Sequence, residues 1–126
     1  MAALPFGTVL IVEDDPISDL YLTEILKNHF QQILHAKNGF VAIELVKNYP
    51  GIELIMMDLK MPVMDGITAT KEIRKFNKEI IIIAETAYAA VPDRIDALQS
   101  GCTDYISKPI NDKELLALVY KYLGDI

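Results

Sequence analysis

Three acidic side chains directly follow two apolar segments of the chain, where they could bind a metal ion or act as nucleophiles. Glu13 and Asp14 follow Val9–Val12, and Asp58 follows Leu54–Met57. Adjacent carboxylates raise each other's pKa unless a cation lies between them. Oxygen ligands without His or Cys suit Mg²⁺ or Mn²⁺, and Mg²⁺ takes only one or two carboxylates. If the two segments are neighbouring strands, the three acids together predict a metal site.

Each of these acids also has an ordinary structural interpretation. Asp15 is a suitable N-cap for a following helix, which would leave Glu13 and Asp14 as solvated neighbours. Asp58 could be a turn acid, although Asp65 already fills that role before the third helix. An Asp carboxylate can attack phosphorus and form an acyl phosphate, a reaction that depends mainly on positioning and neutralised charge. A nucleophilic role for Asp58 therefore depends on the groups around it.

A lysine and a threonine end two further apolar segments. Lys108 could supply a second cation, although most lysines at strand ends are simply exposed. Pro109 biases Lys108 towards an extended backbone, and a cis peptide bond between them is possible but uncommon. Thr86 alone is weak evidence for a role in the site, because β-branched residues are common at strand ends.

Short apolar segments alternate with stretches of helical spacing along the whole chain. Apolar segments without alternation are typical of strands buried on both faces of a parallel sheet. Strands are predicted at Val9–Val12, Ile33–Ala36, Leu54–Met57, Ile80–Ala84 and Tyr105–Ser107, and helices at Pro16–His29, Gly39–Asn48, Asp65–Phe76, Pro92–Ser100 and Asp112–Leu123. Five strands separated by helices indicate right-handed βαβ units and a doubly wound sheet. Ligands bind outside the carboxyl ends of such strands, where the acids, Thr86 and Lys108 would converge.

Composition excludes several classes of protein. The 126 residues are 52% hydrophobic with a net charge of −6. We expect one domain over residues 1–126, with a core from about 8 to 123 and no output domain. There is no basic stripe for direct nucleic-acid contact, and no apolar run approaches the roughly 20 residues that span a bilayer. We expect a soluble, cytoplasmic protein without membrane insertion. Cys102, His29 and His35 are expected to be structural.

Four motifs, in order and at matching spacing, resemble the response regulator receiver family. They are Val9–Pro16, Met56–Gly66, Ala84–Tyr88 and Gly101–Pro109. The match extends from about Thr8 to Leu123. The resemblance implies an α/β, flavodoxin-like fold, a doubly wound five-stranded parallel sheet of order 2-1-3-4-5 with five helices.

The resemblance also implies roles for the acidic residues and the lysine. Asp58 would accept a phosphoryl group from a histidine kinase or histidine phosphotransfer domain. Asp14, Asp58 and the backbone carbonyl of Lys60 would ligate Mg²⁺ directly. Glu13, which stands where Asp is frequent, would act through a bound water. Lys108 would pair with the phosphoryl oxygens.

The remaining implied positions concern switching and hydrolysis. Thr86 would hydrogen-bond the phosphoryl oxygens, and Tyr105 occupies the position of the family's switch aromatic. Lys60 and Tyr88 occupy the variable positions that set how readily water reaches the acyl phosphate. Glu85 stands where an apolar residue is more usual, so we expect the end of the fourth strand to be acidic and exposed.

The function implied by the resemblance is a phosphoacceptor switch in a two-component phosphorelay, not an enzyme in its own right, although such a domain can assist its own phosphorylation and dephosphorylation. Its output would pass to a downstream protein partner or a fused domain. A stand-alone regulator and a domain excised from a hybrid kinase fit the sequence equally well.

Three other functions fit the sequence less well. A flavin-binding domain needs a Gly/Ser/Thr-rich phosphate loop where this chain has Glu13, Asp14 and Asp15, which would repel phosphate. A phosphatase with an aspartyl nucleophile needs a separate acid/base and usually a cap domain. A degenerate receiver that only binds protein stays open, although the complete set of acids, Thr86 and Lys108 disfavours it.

Overall fold

Five parallel strands and five helices alternate along the chain in the structure, a computed structural model. It describes residues 4–87 and 91–124, and in the fourth helix it describes side chains from Asp93 onward. The elements are β1 (Phe6–Val12), α1 (Pro16–Leu26), β2 (Phe30–Ala36), α2 (Gly39–Asn48), β3 (Ile52–Asp58), α3 (Gly66–Arg74), β4 (Ile81–Thr86), α4 (Val91–Ser100), β5 (Asp104–Ser107) and α5 (Asp112–Leu123). The sheet order is β2-β1-β3-β4-β5, so the predicted fold class and strand order are confirmed.

The sheet is covered on both faces, which explains its continuously apolar strands. One layer of buried side chains, including Leu10, Ile55 and Ile82, packs against α2, α3 and α4. The other, including Ile11 and Met56, packs against α1 and α5. Alternate residues of each strand enter opposite layers, so a strand buried on both sides has no polar positions until it ends. The polar residues therefore lie at the carboxyl edge of the sheet, where the strands end.

Side-chain caps fix where the helices begin and so shape the loops at that edge. The Asp15 carboxylate accepts a hydrogen bond from the Ser18 amide at 3.1 Å, with Pro16 as the first residue of α1. Asp65 caps α3 by accepting from the Thr68 amide at 2.8 Å. Such caps satisfy amides that have no partner inside the helix. Both N-cap predictions agree with the structure.

The predicted bounds are wrong mainly where strands begin. β1 and β2 start three residues earlier than predicted, and α1 ends at Leu26 and not at His29. The reason is that Phe6 pairs with Phe30, which extends both strands past their continuously apolar parts. The chain must therefore leave the helix before His29. The bounds of α5 are those predicted from the sequence.

The residues expected to be structural have partners outside the cluster of Glu13, Asp14 and Asp58. His29 is hydrogen-bonded to the Tyr120 hydroxyl at 2.8 Å, and His35 to Asp19 at 2.8 Å. Cys102 is buried beside Thr70, and burial raises the pKa of its thiol. Within the described part of the chain, no helix has the length and apolar character needed to cross a membrane.

Candidate phosphoacceptor and metal site

Three carboxylates meet at the carboxyl edge of the sheet, where β1 and β3 end side by side. Val12 is paired with Met57, so the next residues of both strands, Glu13 and Asp58, emerge together. One carboxylate oxygen from each of Glu13, Asp14 and Asp58 lies within 4.8 Å of the others. Glu13 and Asp58 are 3% and 5% exposed, whereas Asp14 is exposed. The structure thus brings together the acids that the sequence singled out.

The Lys108 ammonium reaches into this cluster from the end of β5. Its Nζ lies 3.3 Å from Glu13 Oε1 and 3.4 Å from Asp58 Oδ2. The Lys108–Pro109 peptide bond is cis, and the Lys108 amide donates to the Thr86 carbonyl at 2.8 Å. Burial would lower the pKa of Lys108, but attraction to Asp58 and Glu13 raises it above its ordinary value. Lys108 is therefore a permanent cation beside Asp58.

The electrostatics of the cluster favour a proton on Glu13. Burial, followed by a hydrogen bond and repulsion from Asp58, raises the pKa of Glu13 from 4.5 to about 7. The Asp15 amide, which donates to Glu13 Oε2 at 3.2 Å, and Lys108 only partly offset this rise. A buried carboxylate next to another carboxylate holds its proton unless a cation compensates. The cluster is therefore short of positive charge.

The loop after β3 wraps closely around Asp58. The Lys60 amide donates to Asp58 Oδ1 at 3.1 Å, and the Gly66 amide donates to the Leu59 carbonyl at 3.1 Å. A Cβ at Gly66 would overlap the Asp58 carbonyl oxygen. Gly66 therefore permits the start of α3 to lie close against the backbone of Asp58 and Leu59. The Asp65-Gly66 pair marked a helix start in the sequence, but this contact is not visible there.

Thr86 and Tyr105 lie on the same face of adjacent strands. Tyr105 is opposite Ala84, and Thr86 is opposite Ser107, so the two side chains are diagonal neighbours. Thr86 is buried, and with Lys60 it lines a cleft of about 490 Å³ between α3 and α4. Tyr105 is half-buried. The other predicted rate-tuning residue, Tyr88, lies outside the described residues.

Arg94 of α4 contacts the Tyr105 ring, an interaction that the sequence did not reveal. Its guanidinium carbon lies 4.9 Å from the centre of the Tyr105 ring. Its Nε is buried without a hydrogen-bond partner among the described residues. Guanidinium groups stack favourably on aromatic faces. The Tyr105 ring is therefore held in this structure by a residue of the neighbouring helix.

The expectation that Glu85 would be exposed is wrong. Glu85 is paired with Asp58 in the sheet and is 0% exposed. Its side chain lies on the α1–α5 side of the sheet, the same side as Ile83 two residues earlier. Burial, followed by repulsion from Glu13, raises its pKa well above the ordinary value. The strand end is acidic, as expected, but it is covered.

Chemically, the site combines a buried carboxylate, a fixed cation and a set of hard oxygen donors. The cluster of Glu13, Asp14 and Asp58 contains oxygen donors alone, which suits Mg²⁺ or Mn²⁺. The Asp58 carboxylate can act as a nucleophile toward phosphorus, because Lys108 neutralises charge beside it. A doubly wound sheet with these groups at its carboxyl edge defines a phosphoacceptor domain.

Comparison with known proteins agrees with this site. The model of the response regulator receiver domain matches residues 9–120. This chain belongs to that family, and it is a receiver domain, the phosphoacceptor switch of two-component signalling. A curated relative is the sensor histidine kinase GacS of Pseudomonas protegens, 36% identical over 92% of this chain. The chain spans only 13% of the length of GacS.

Two solved structures are similar over nearly the whole chain. The receiver domain of Ssk1 from Saccharomyces cerevisiae, crystallised with the histidine phosphotransfer protein Ypd1, is 37% identical with a TM-score of 0.89, over 97% of this chain and 92% of that one. The receiver domain of the histidine kinase PA1611 from Pseudomonas aeruginosa is 31% identical with a TM-score of 0.86, over 95% of this chain and 99% of that one. That structure has a magnesium ion in its active-site cleft.

Proposed function

We propose that Asp58 is the phosphoacceptor and that it takes a phosphoryl group from a phosphohistidine donor. The observation that carries this proposal is the buried Asp58 carboxylate with Lys108 Nζ at 3.4 Å. An Asp58 oxygen attacks phosphorus, the phosphorus–nitrogen bond of the donor breaks, and its electron pair returns to the imidazole. Lys108 compensates the charge on the transferring group, because phosphoryl transfer depends mainly on positioning and electrostatics.

The proposed metal ligands are Asp14, Asp58 and the Lys60 carbonyl, with Glu13 acting through water. When bound, Mg²⁺ or Mn²⁺ would supply neutralising charge to the phosphoryl oxygens. The raised pKa of Glu13, about 7, supports this assignment because it reflects a shortage of positive charge. The Lys60 amide, at 3.1 Å from Asp58 Oδ1, keeps the carboxylate oriented for both roles.

The proposed donor is a histidine kinase or a histidine phosphotransfer domain, as the complex of the Ssk1 receiver with Ypd1 suggests. We also propose that this reaction takes place in the cytoplasm. The chain would act as a switch, not as an independent enzyme, with Thr86 and Lys108 assisting transfer onto and off Asp58. Lys60 and Tyr88 are the positions proposed to set the lifetime of the acyl phosphate. We propose one receiver domain over residues 1–126.

The proposed output runs through the face formed by α4, β5 and α5. A phosphoryl group carries roughly two negative charges and strong acceptor oxygens. If Thr86 moves to donate to those oxygens, it vacates space on the face that it shares with Tyr105. The Tyr105 ring can then turn inward and leave its contact with Arg94. A downstream protein or a fused domain would read the altered surface.

The test is covalent labelling with acetyl phosphate and Mg²⁺, followed by intact-protein mass spectrometry. We expect one phosphoryl adduct that is lost at alkaline pH, and no adduct on Asp58→Asn. The matched control is Asp65→Asn, because Asn still caps α3 and the charge change is the same. Labelling of Asp58→Asn to the wild-type level would show that the nucleophile is a different residue.

A further inference from the structure

A second cavity is lined in part by Lys108, whose ammonium also contacts Glu13 and Asp58. It has a volume of about 530 Å³ and lies between α1 and the segment that follows β5. Its walls are mostly apolar and include Ile17, Leu22 and Pro109. Tyr21 and Ile110 belong to opposite walls, and the Tyr21 hydroxyl donates to the Ile110 carbonyl at 2.8 Å. Both the size and the apolar lining are those of small-molecule sites.

Glu85 forms the floor of this cavity and has no hydrogen-bond partner. It is among the lining residues, yet it is 0% exposed, and both carboxylate oxygens are unpaired within the described part of the chain. Buried polar side chains in folded proteins are nearly always hydrogen-bonded, so an exception indicates a missing partner. Phosphorylation of Asp58 does not use Glu85. Its carboxylate is therefore a recognition group without a ligand.

The charges around Glu85 decide which kind of ligand fits. Glu13, Asp58 and Asp19 all act on Glu85 with negative charge, and Lys108 is the opposing cation. Lys108 is already shared between Glu13 and Asp58. An anion would be repelled by these acids. A cation would favour the ionised form of Glu85 and pair with it through a charge-assisted hydrogen bond. The apolar walls would hold an aromatic or aliphatic group attached to that cation.

We propose that this cavity binds a small cationic amphiphile, an apolar or aromatic group bearing an amine or amidine that pairs with Glu85. The ligand's apolar part lies between α1 and the Pro109–Ile110 segment, and its charged end points to the floor. Because the Glu85 oxygens are covered, a wall side chain moves to admit the donor. Ile17, which is 78% exposed, and the long Lys108 side chain are the ones placed to do so.

The test is an NMR titration of the unphosphorylated, metal-free protein with benzamidine. We expect saturable amide shifts at Ser18, Tyr21 and Ile110. Benzamide has the same shape without the charge and should give no saturable shifts. Glu85→Gln should weaken benzamidine binding by about tenfold or more, because it removes the ion pair. Glu44→Gln, the same change at an exposed position of α2, should leave binding unchanged.

A second variant tests the location without touching Glu85. Ser18 lines the cavity, so Ser18→Arg should fill it with a tethered cation and abolish the benzamidine shifts in a folded protein. Persistent shifts in Ser18→Arg, equal binding by Glu85→Gln and wild type, or equal binding of benzamide and benzamidine would each overturn the proposal. The titration uses neither Mg²⁺ nor a phosphoryl donor, so its failure would leave the proposed phosphoacceptor function unaffected.

Discussion

Glu13 should make the stability of the metal-free protein fall as the pH rises. Its pKa is raised from 4.5 to about 7 in the folded chain, chiefly by burial and then by Asp58. The folded state therefore holds a proton that the unfolded state releases. The resulting stabilisation is fully present below about pH 4.5 and is lost as the pH rises through about 7. The rise in pKa corresponds to about 3 kcal/mol in the free energy of unfolding.

The perturbation that isolates this contribution is Glu13→Gln. Glutamine keeps the size of the side chain and an oxygen that can accept from the Asp15 amide, as Glu13 does at 3.2 Å, but it does not titrate. Near pH 5 the variant and the wild type should have similar free energies of unfolding. At about pH 8 the variant should be more stable by up to about 3 kcal/mol. Urea denaturation in EDTA across this range measures the difference.

Two comparisons make the result specific to Glu13. Glu44→Gln changes an exposed acid of α2 and should follow the wild-type curve at every pH. Adding Mg²⁺ should reduce the wild-type loss of stability at high pH, because a bound cation favours the ionised carboxylate. If Glu13→Gln and the wild type gave parallel curves from about pH 5 to about pH 8, the raised pKa would be refuted.

Three further predictions concern the metal, the loop and the switch. Mg²⁺ at ten times its Kd should stabilise the wild type by about 1.4 kcal/mol in thermal unfolding, and Asp14→Ala should remove that gain. Equal stabilisation of the wild type and Asp14→Ala by Mg²⁺ would contradict the proposed metal site. Gly66→Ala should lower the free energy of unfolding in urea by about 1–3 kcal/mol through overlap with the Asp58 carbonyl, whereas Gly51→Ala, in open space, should not. Beryllofluoride with Mg²⁺ should shift the NMR signals of the wild type around Tyr105 and α5. Thr86→Ala should lose these distant shifts but keep the shifts beside Asp58. The switch would be contradicted if the wild type showed no distant shifts, or if Thr86→Ala kept them.

The fold was predictable because its central strands are buried on both faces. Runs such as Leu54–Met57 have no polar position and can only be interior, and the caps at Asp15 and Asp65 mark the helices between them. The starts of β1 and β2 were not predictable. Their first residues include Gly7, Thr8, Gln31 and Gln32, and they form strands because Phe6 pairs with Phe30 and Thr8 with Gln32. Such pairing is a property of the whole sheet, not of local sequence.

The convergence of the site residues was predictable for the same topological reason. The residues that follow parallel strands lie at one edge of the sheet, so Glu13 and Asp58, which follow the adjacent strands β1 and β3, had to lie close together. Lys108 follows β5 at the same edge, and its long side chain reaches both acids. Burial at that edge was not predictable. An acid at a strand end is usually solvated, and only the packing of α1 and the residues after β5 covers Glu85. The stacking of Arg94 on Tyr105 likewise depends on how α4 lies against β5.

The charges at this edge link phosphorylation of Asp58 to metal binding. Four acids, Glu13, Asp14, Asp58 and Glu85, lie near the Lys108 cation. Burial and the neighbouring acids raise the pKa values of Glu13 and Glu85 in spite of Lys108. A phosphoryl group on Asp58 would add roughly two more negative charges to the same place. A bound metal cation would offset this charge, so the phosphoryl group and the metal should each favour the binding of the other. Linkage requires this coupling to be reciprocal: a phosphoryl mimic should raise the affinity for Mg²⁺ by the same factor by which Mg²⁺ raises the affinity for the mimic.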